Sequence, residues 1–447
     1  MSATATSADS ASTAAGFGPS AFERFLDGLD EPQWVSERRR AAFHRFLETP
    51  MPSLRDEEWR RTDIRAFKLD AFAPPRSVPP SPESQTALQP CWDALAANYG
   101  AGLARIDGAT VRETAAKAGL PQGVVFCDLN QAAREHSDLL TRYLGQAVSS
   151  SADAFSELQA AYWSGGAFLY VPKGVKVETP LFHLVGLATQ GRADFSRTLV
   201  VVEDGAEATL VQESVGLGDP NAPALHCGSV ELFVGEKARL RFVNVQNWSL
   251  GTWCFSRERA VIARDADLQW TIGALGSRLT KANQDVALAG PKARAQVNGV
   301  MFASGRQHLA YFTRQDHQAP NTASDLLYKG GLKDKSRIVW KGMIRVDKDA
   351  QKTDAYQKND NLVLSEQARA DSIPGLEIEA NDVRCTHGAT AGRVDEDMIF
   401  YALSRGVSRE TAIRLIVEGF FANVYDRVAL EPAQDTLRDA VSAKLDR

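Results

Sequence analysis

Cysteine is scarce in this chain, which has five cysteines in 447 residues. They are scattered through the sequence, at Cys91, Cys127, Cys227, Cys254 and Cys385. An odd number without regular spacing argues against a disulfide framework and predicts a reducing compartment, the cytoplasm. No Cys-x-x-Cys pair is present, so the sequence lacks a self-contained zinc or cluster site of the usual spacing.

Several common functional signatures are also missing. The chain has no GxxxxGK[ST] loop, so it should not hydrolyse a nucleotide through a P-loop. The GxSxG, HExxH and GxGxxG signatures are absent as well. No apolar run is long enough to span a bilayer, and the N-terminus lacks the pattern of a secretory signal. The formal net charge of −5 gives no reason to expect nucleic acid or an anionic membrane as a partner.

What is present divides the chain into four regions. Residues 1–20 begin with a tract of Ser, Ala and Thr that predicts a disordered tail. Residues 21–164 predict a helical N-terminal region, and residues 393–447 predict a helical C-terminal domain. Residues 165–392 lie between them and are rich in short strand patterns. The predicted fold is mainly β, with a right-handed parallel β-helix as the core and helical regions on both sides.

A short recurring pattern supports the β-helix. A small residue followed by alternating apolar residues recurs at Ala206, Ala238, Ala266, Ala293 and Ser336. The first four copies are 32, 28 and 27 residues apart, by subtraction of those positions. Such intervals indicate stacked coils, because one coil alone cannot bury its apolar face but a stack forms one continuous core. A β-sandwich built from hairpins is the alternative that the pattern leaves open.

The end of the predicted β-helix carries two candidate ligands, Cys385 and His387. Residues at positions i and i+2 of a strand point to the same side. A thiolate and a neutral imidazole are both good ligands for iron or zinc, but a tetrahedral site needs four donors. The pair is therefore either half of a metal site that a partner chain or a second segment completes, or a small apolar Cys beside a His bonded to backbone.

Two other polar segments receive a structural interpretation. Asp316 and His317, with His308 upstream, predict hydrogen-bonded groups in a coil turn. The run Tyr356–Pro374 is rich in amide and carboxamide groups that can form ladders between coils, as in other stacked β structures. We assign no chemistry to either segment.

The C-terminal helices carry a candidate docking surface. Asp395 and Ser408 can each cap a helix, and Gly406 can end the first one. The second helix has an apolar stripe wide enough to pack on two surfaces. We expect the following residues of the stripe to bind a partner subunit: Ile413, Ile416, Val417, Phe420 and Phe421.

Residues 376–421 closely resemble the C-terminal part of the SufB/SufD family, which takes part in iron–sulfur cluster assembly. Within them, Asp382-Val-Arg-Cys-Thr-His-Gly-Ala-Thr follows the SufD form of the family. The runs Pro52–Thr62, around a Trp, and Tyr356–Pro374 are also similar to family segments. The resemblance extends from about Trp59 to about Phe421.

The resemblance implies a non-catalytic scaffold subunit of a SufBCD complex. Such a subunit would pair with a SufB-like chain through the β-helix and bind a SufC-like ATPase through the C-terminal helices. The family's His at position 387 is implicated in cluster formation at the interface with SufB. An iron ion or iron–sulfur cluster would be held there transiently, with no cofactor bound stably by this chain alone. Flavin has been associated with such assemblies, but no segment identifies a flavin site.

Two functions from other classes stay open at this point. One is a β-helical enzyme that modifies a carbohydrate or an acyl group, which would need a clustered acidic site in a surface cleft. The other is a purely structural homodimer with no metal role, and the chain in isolation is also compatible with self-association.

Overall fold

The computed structural model describes residues 16–75, 79–114, 119–148 and 152–446. Residues 1–15 of the predicted tail lie outside the described residues. The core is a parallel β-solenoid of about eight turns, with helices on its N-terminal and C-terminal sides. This architecture confirms the predicted mainly-β class with a β-helix core.

The strands form two facing sheets. In chain order they are β1 (Gly102–Ile106), β2 (Ala109–Thr114), β3 (Val125–Asp128), β4 (Gly166–Val171), β5 (Leu181–Leu187), β6 (Ala193–Asp194), β7 (Arg197–Val202), β8 (Glu207–Gly216), β9 (Ala224–Val234), β10 (Arg239–Asn247), β11 (Thr252–Ile262), β12 (Asp267–Ala274), β13 (Leu279–Leu288), β14 (Arg294–Ala303), β15 (His308–His317), β16 (Ala323–Leu332), β17 (Arg337–Val346), β18 (Asp354–Val363), β19 (Arg369–Ile378) and β20 (Arg384–Arg393).

From β8 onward, consecutive strands alternate between the sheets, so each coil adds one strand to each sheet. The first sheet has the order β2-β1-β5-β8-β10-β12-β14-β16-β18-β20, and the second has the order β19-β17-β15-β13-β11-β9-β7-β4-β3. Neighbouring strands are parallel except for the pairs β1–β2 and β3–β4 at the N-terminal end. A sandwich of hairpins would need antiparallel neighbours throughout, so that alternative is wrong.

The repeated pattern in the sequence marks one corner of the solenoid. A residue with φ between 57° and 66° precedes six successive strands of the first sheet, β8 to β18, at Gly205, Lys237, Asp265, Lys292, Asn321 and Lys352. Each donates its backbone N–H to a carbonyl of the following coil, as Lys237 does to Arg264 at 2.9 Å. The next residue is small and buried, such as Ala238, because the inside of a tight corner has little room. Ser336, the fifth copy, instead precedes β17 in the second sheet.

The interior of the solenoid is partly apolar and partly polar. Large side chains such as Trp270 and Trp340 are fully buried in one continuous apolar cluster. Polar side chains cross between the sheets elsewhere. Tyr328 Oη donates to Gln284 Oε1 at 2.7 Å, and Gln246 Nε2 donates to Thr280 Oγ1 at 2.8 Å. These bonds satisfy buried polar groups and hold the two sheets in a fixed relation.

Helices cover the outer faces of the solenoid. The helices of the described residues are α1 (Pro19–Asp27), α2 (Gln33–Glu48), α3 (Pro82–Asn98), α4 (Leu129–Glu135), α5 (Ser137–Tyr143), α6 (Ala154–Tyr162), α7 (Glu396–Ser404), α8 (Arg409–Tyr425) and α9 (Glu431–Leu445).

The N-terminal region packs mainly on the second sheet. Phe43 of α2 and Tyr162 of α6 share an apolar cluster with Phe195, Cys227 and Phe255 of the solenoid. The predicted helical stretch 21–164 also contributes β1, β2 and β3, which extend the two sheets. The N-terminal region is therefore a mixed unit whose strands continue the stack.

The C-terminal helices pack on the first sheet. Their ends follow the sequence signals, since Asp395 Oδ1 accepts from the Asp397 N–H at 2.9 Å and Ser408 Oγ from the Thr411 N–H at 3.2 Å. Gly406 has a φ of 80° just after α7, as the helix-ending position requires. None of the helices in the described part of the chain has the length and apolar character needed to cross a membrane.

Candidate functional site

The last coil of the solenoid presents two unpaired strand edges. Strand β19 pairs only with β17, and β20 pairs only with β18, among the described residues. The residues of both strands are mostly half-buried or exposed, unlike those of the preceding coils. Free N–H and C=O groups on such edges are templates for pairing with another chain. The C-terminal end of the solenoid is therefore an open surface.

Cys385 and His387 lie on β20 at this open end. In the register, Cys385 is opposite Ala355 and His387 is opposite Gln357. Ala355 and Gln357 are both buried inside the preceding coil, so the Cys385 and His387 side chains lie on the inward face. Their Cα atoms are about 7 Å apart at the rise of a strand. The structure thus places both candidate ligands together at the mouth of the solenoid interior.

The environments of these two residues differ. Cys385 is half-buried against the small apolar cluster that includes Ile344 and Val346. Burial, followed by the nearby Asp354 carboxylate, raises the pKa of the Cys385 thiol. His387 is exposed. Cys385 therefore favours the neutral thiol in the isolated chain, and a cation brought by a partner would favour the thiolate.

The polar groups beneath the pair are incompletely bonded. Gln357 Nε2 donates to the Gly375 carbonyl at 3.0 Å. Gln357 Oε1 and Asn361 Oδ1 are buried and have no hydrogen-bond partner among the described residues. Buried carbonyl oxygens of this kind are costly unless a donor or a water reaches them. The open end therefore has two free acceptor oxygens, on Gln357 opposite His387 and on Asn361 opposite Ala391.

The other polar segments are structural. Both ring nitrogens of the buried His317 are engaged, by Thr322 Oγ1 at 2.7 Å and by Ser324 Oγ at 2.8 Å. In the run Tyr356–Pro374, Asn361 Nδ2 donates to Asn359 Oδ1 at 2.7 Å, and Ser372 Oγ donates to the same oxygen at 2.6 Å. These bonds agree with the structural interpretation of His317 and of the run Tyr356–Pro374, whereas the buried Nε2 of His308 has no hydrogen-bond partner among the described residues.

The apolar stripe on α8 faces the solenoid, which corrects the predicted docking role of its two fully buried residues. Val417 and Phe421 are fully buried. Ile413, Ile416 and Phe420 are partly buried against the same apolar cluster. The stripe is wide because it covers the outer face of the first sheet. Val417 and Phe421 therefore attach α8 to the core and offer no surface to a partner.

A group of exposed apolar side chains lies on α7 and on the outer side of α8. We call it the hairpin surface: Met398, Phe400, Tyr401, Leu403 and Leu415, with exposed fractions of 55%, 72%, 62%, 44% and 55%. The sequence signal for it was the unbroken run Met398–Leu403, because a helix that is apolar on all sides cannot bury every face against one core.

A polar cavity inside the solenoid was not anticipated from the sequence. It has a volume of about 30 Å³, and its lining includes His226, Cys254, Ser256, Glu258 and Tyr311. Burial raises the pKa of Glu258 to about 7. In the sequence, the series Cys254, Ser256, Glu258 could have indicated this cavity, because it puts polar atoms at alternate, inward positions of one strand.

A complete metal site is not assembled by this chain within the described residues, which contain no group of three or more His, Cys, Asp or Glu side chains placed to hold a metal ion. Cys385 and His387 supply two donors at most. Any metal bound at the open end would need further ligands from elsewhere.

Comparison with known proteins assigns the chain to a family. The family model described as "SUF system FeS cluster assembly, SufBD core domain" matches residues 185–420. The model described as "SufBD protein N-terminal region" matches residues 28–182. Together they cover both the N-terminal region and the solenoid with its attached helices. The chain belongs to the SufBD family of the SUF iron–sulfur cluster assembly system.

Curated relatives align with this chain over most of its length. An iron–sulfur cluster assembly SufBD family protein of Staphylococcus saprophyticus is 29% identical over 419 residues, which are 92% of this chain and 89% of that protein. A SufBD family protein of Staphylococcus epidermidis matches with the same identity and coverage. One from Staphylococcus aureus is 28% identical over the same shares of both chains.

Proposed function

We propose that this protein is a SufD-like scaffold subunit of a SufBCD-type complex. The observation that supports this role best is the open last coil, which presents Cys385 and His387 beside two unpaired strand edges. The SufD form of the segment Asp382–Thr390 favours SufD over SufB. The five cysteines of the described residues are all free thiols, which agrees with action in the cytoplasm.

The proposed partner at the open end is a SufB-like subunit. Strand pairing across the edges of β19 and β20 would extend both sheets into the partner and close the mouth of the solenoid. His387 and Cys385 would then lie at the subunit boundary, where the partner supplies the remaining ligands. The iron or iron–sulfur cluster is the cargo of this site, held transiently. Flavin is not assigned to any group of residues.

The proposed partner at the hairpin surface is a SufC-like ATPase. The chain has no P-loop, so nucleotide hydrolysis would belong to a separate subunit. Exposed aromatic and aliphatic side chains such as Phe400 and Leu415 are the kind that become buried anchors at interfaces. The scaffold itself would carry out no catalytic step.

The cluster-contact role is tested by complementation of a strain that lacks the gene, under iron limitation. His387→Ala removes an exposed ligand without opening a cavity, so the melting temperature should stay within about 2 °C while complementation falls. Cys385→Ser keeps the size of the side chain but weakens binding of a soft metal, so a smaller loss is expected.

Full complementation by the double variant His387→Ala, Cys385→Ser would contradict the cluster-contact role. Loss of complementation together with a collapsed melting temperature would instead assign the pair a structural role. Asp382→Ala, an exposed change three residues before Cys385, serves as the matched control and should complement normally.

The ATPase-docking role is tested by co-purification. The double variant Phe400→Asp, Leu415→Asp places charge in the hairpin surface and should abolish recovery of the ATPase subunit, while the melting curve stays that of the unmodified chain. Leu47→Asp on α2, where the side chain is 52% exposed, is the control. Undiminished recovery with the double variant would show that the ATPase binds elsewhere.

A further inference from the structure

A second cavity lies between α6 and the outer face of the second sheet. It has a volume of about 30 Å³, and its lining includes Trp59, Phe155 and Gln159 on the side of the N-terminal region. The opposite wall is a row of side chains on neighbouring strands, since Arg197 is in register with Ser229 and Ser229 with Arg257. The cavity thus lies on the seam that joins the N-terminal region to the solenoid.

Three hydrogen-bonding atoms in this cavity have no partner among the described residues: Gln159 Nε2, Ser229 Oγ and Arg257 Nε. Gln159 and Ser229 are only 5% and 3% exposed, so bulk water does not reach their side chains freely. Other polar atoms of the same side chains do form hydrogen bonds. Gln159 Oε1 accepts from Arg197 at 3.4 Å, and Arg257 Nη2 donates to Asp153 at 2.9 Å. The atoms left over are an amide N–H₂, a guanidinium N–H and a hydroxyl.

Lys281 completes the lining. It is 3% exposed, and its ammonium lies 3.4 Å from the centre of the Phe312 ring. Its hydrogen bond goes to the neutral Asn283 Oδ1, and it forms no ion pair with a carboxylate in the described part of the chain. Burial, more than any neighbouring charge, lowers the pKa of Lys281 to about 7. The carboxylates of Glu58 and Asp153 are near enough to favour the charged form, but neither lies within ion-pairing distance of the ammonium.

The lining of the cavity has more unpartnered hydrogen-bond donors than acceptors. Of its three cations, Arg197 is paired with the buried Glu231 and Arg257 with Asp153 and Glu58, so Lys281 alone has no ion pair among the described residues. Asp153 is already bonded to Arg257 and to the Ser156 N–H and Oγ. An occupant that accepts hydrogen bonds and carries one negative charge would satisfy the unpartnered donors and the Lys281 ammonium together. The volume admits a monatomic or similarly small anion and excludes a nucleotide.

We propose that this cavity is a binding site for a small monovalent anion of halide size. The anion would accept from Gln159 Nε2, Ser229 Oγ and Arg257 Nε and would neutralise Lys281. Because Gln159 belongs to α6 and the other groups to the solenoid, the bound anion would bridge the two regions. The site is independent of the cluster-assembly role of the open end.

The test uses bromide and the full-length protein. Titration with sodium bromide should raise the melting temperature along a saturable curve, compared with sodium gluconate at equal ionic strength, because gluconate is too large for the cavity. Anomalous diffraction from a bromide-soaked crystal should place one ion between Gln159 and Arg257. Lys281→Met and Gln159→Leu should each weaken the apparent affinity at least tenfold.

Lys341→Met is the matched control. Lys341 lies on the same outer face, but its ammonium is paired with Glu57 at 2.8 Å, so bromide affinity should stay unchanged in this variant. Two results would overturn the proposal: an anomalous map without a peak in the cavity, or equal bromide dependence in the unmodified chain and in Gln159→Leu. Gln159→Leu keeps the test decisive if Lys281→Met fails to fold.

Discussion

Glu231 shows how one buried carboxylate can hold a loop to the solenoid. Its side chain is fully buried and accepts from Arg197 Nη2 at 2.8 Å. It also accepts backbone N–H groups of the segment after α5, from Gly145 and Ala147 at 2.9 Å and from Val148 at 3.1 Å. Such a site is stable only while every charge is paired.

We predict that Glu231→Ala destabilises the protein by about 3–5 kcal/mol, because it leaves the Arg197 guanidinium buried and unpaired. Chemical denaturation measures the change. Glu207→Ala is the comparison, since the Glu207–Lys176 pair has side chains that are 33% and 56% exposed. Breaking that surface pair should cost less than about 1 kcal/mol. Equal losses of unfolding free energy in Glu231→Ala and Glu207→Ala would contradict this distinction between a buried and a surface ion pair.

Lys281 should give the stability a defined pH dependence. The folded state lowers its pKa to about 7, whereas the unfolded chain has the ordinary value of 10.5. Between these two values the unfolded state binds more protons, so this group makes stability rise with pH in that window. Below pH 7 the full cost of burying the ammonium is present, and above about 10.5 it has vanished.

Lys281→Met should therefore melt at a higher temperature than the unmodified chain at pH 7, with a difference that shrinks toward pH 10. Thermal melts in gluconate buffer across pH 6–10 measure it without a small anion in the cavity. A difference that does not depend on pH would mean that Lys281 is not a buried ammonium in the folded state.

At the scale of elements, α8 packs against the core, whereas α7 exposes apolar side chains to solvent. Phe421 on α8 is fully buried, with its ring centre 6.5 Å from that of Phe302 on β14. Phe421→Ala should cost about 3–5 kcal/mol of stability through the cavity it leaves. Phe400→Ser on α7 should change stability by less than about 0.5 kcal/mol, because Phe400 is 72% exposed. Similar losses in the two variants would place α7 in the core as well.

The sequence predicted where the C-terminal helices end, but not which of their faces would be buried. Asp395, Gly406 and Ser408 act within a turn of their own helices, so the sequence predicted their roles correctly. The direction in which Val417 and Phe421 point depends on β14 and β16, about 100 residues away in sequence. Periodicity identified an apolar stripe but could not tell a stripe that meets the core from one that meets a partner.

At the scale of the whole molecule, the open end of the solenoid should govern association. The Arg384 N–H donates to the Thr353 carbonyl of the preceding coil at 2.8 Å. In a parallel ladder the backbone groups of Cys385, His387 and Ala389 therefore point to the free edge. A change confined to these positions can alter pairing with a second chain without disturbing β18.

We predict that Ala389→Pro abolishes association through β20 while the monomer stays folded, because proline removes one edge N–H and is tolerated on edge strands. Light scattering, with the proposed SufB-like partner and with the chain alone, measures the effect. Ala389→Val keeps the N–H and should associate normally. Association that survives Ala389→Pro would place the interface on another surface.

The sequence by itself determined the repeat and the ends of the C-terminal helices, because these depend on neighbours close in the chain. Alternation and corner residues such as Ala238 and Ala266 favoured stacked strands, and the Cys385-x-His387 spacing placed both residues on one face of a strand. Only the tertiary structure decided which surfaces are open. Burial depends on contacts between distant segments, and those contacts placed Phe421 in the core, Phe400 in solvent and Lys281 in a sealed seam.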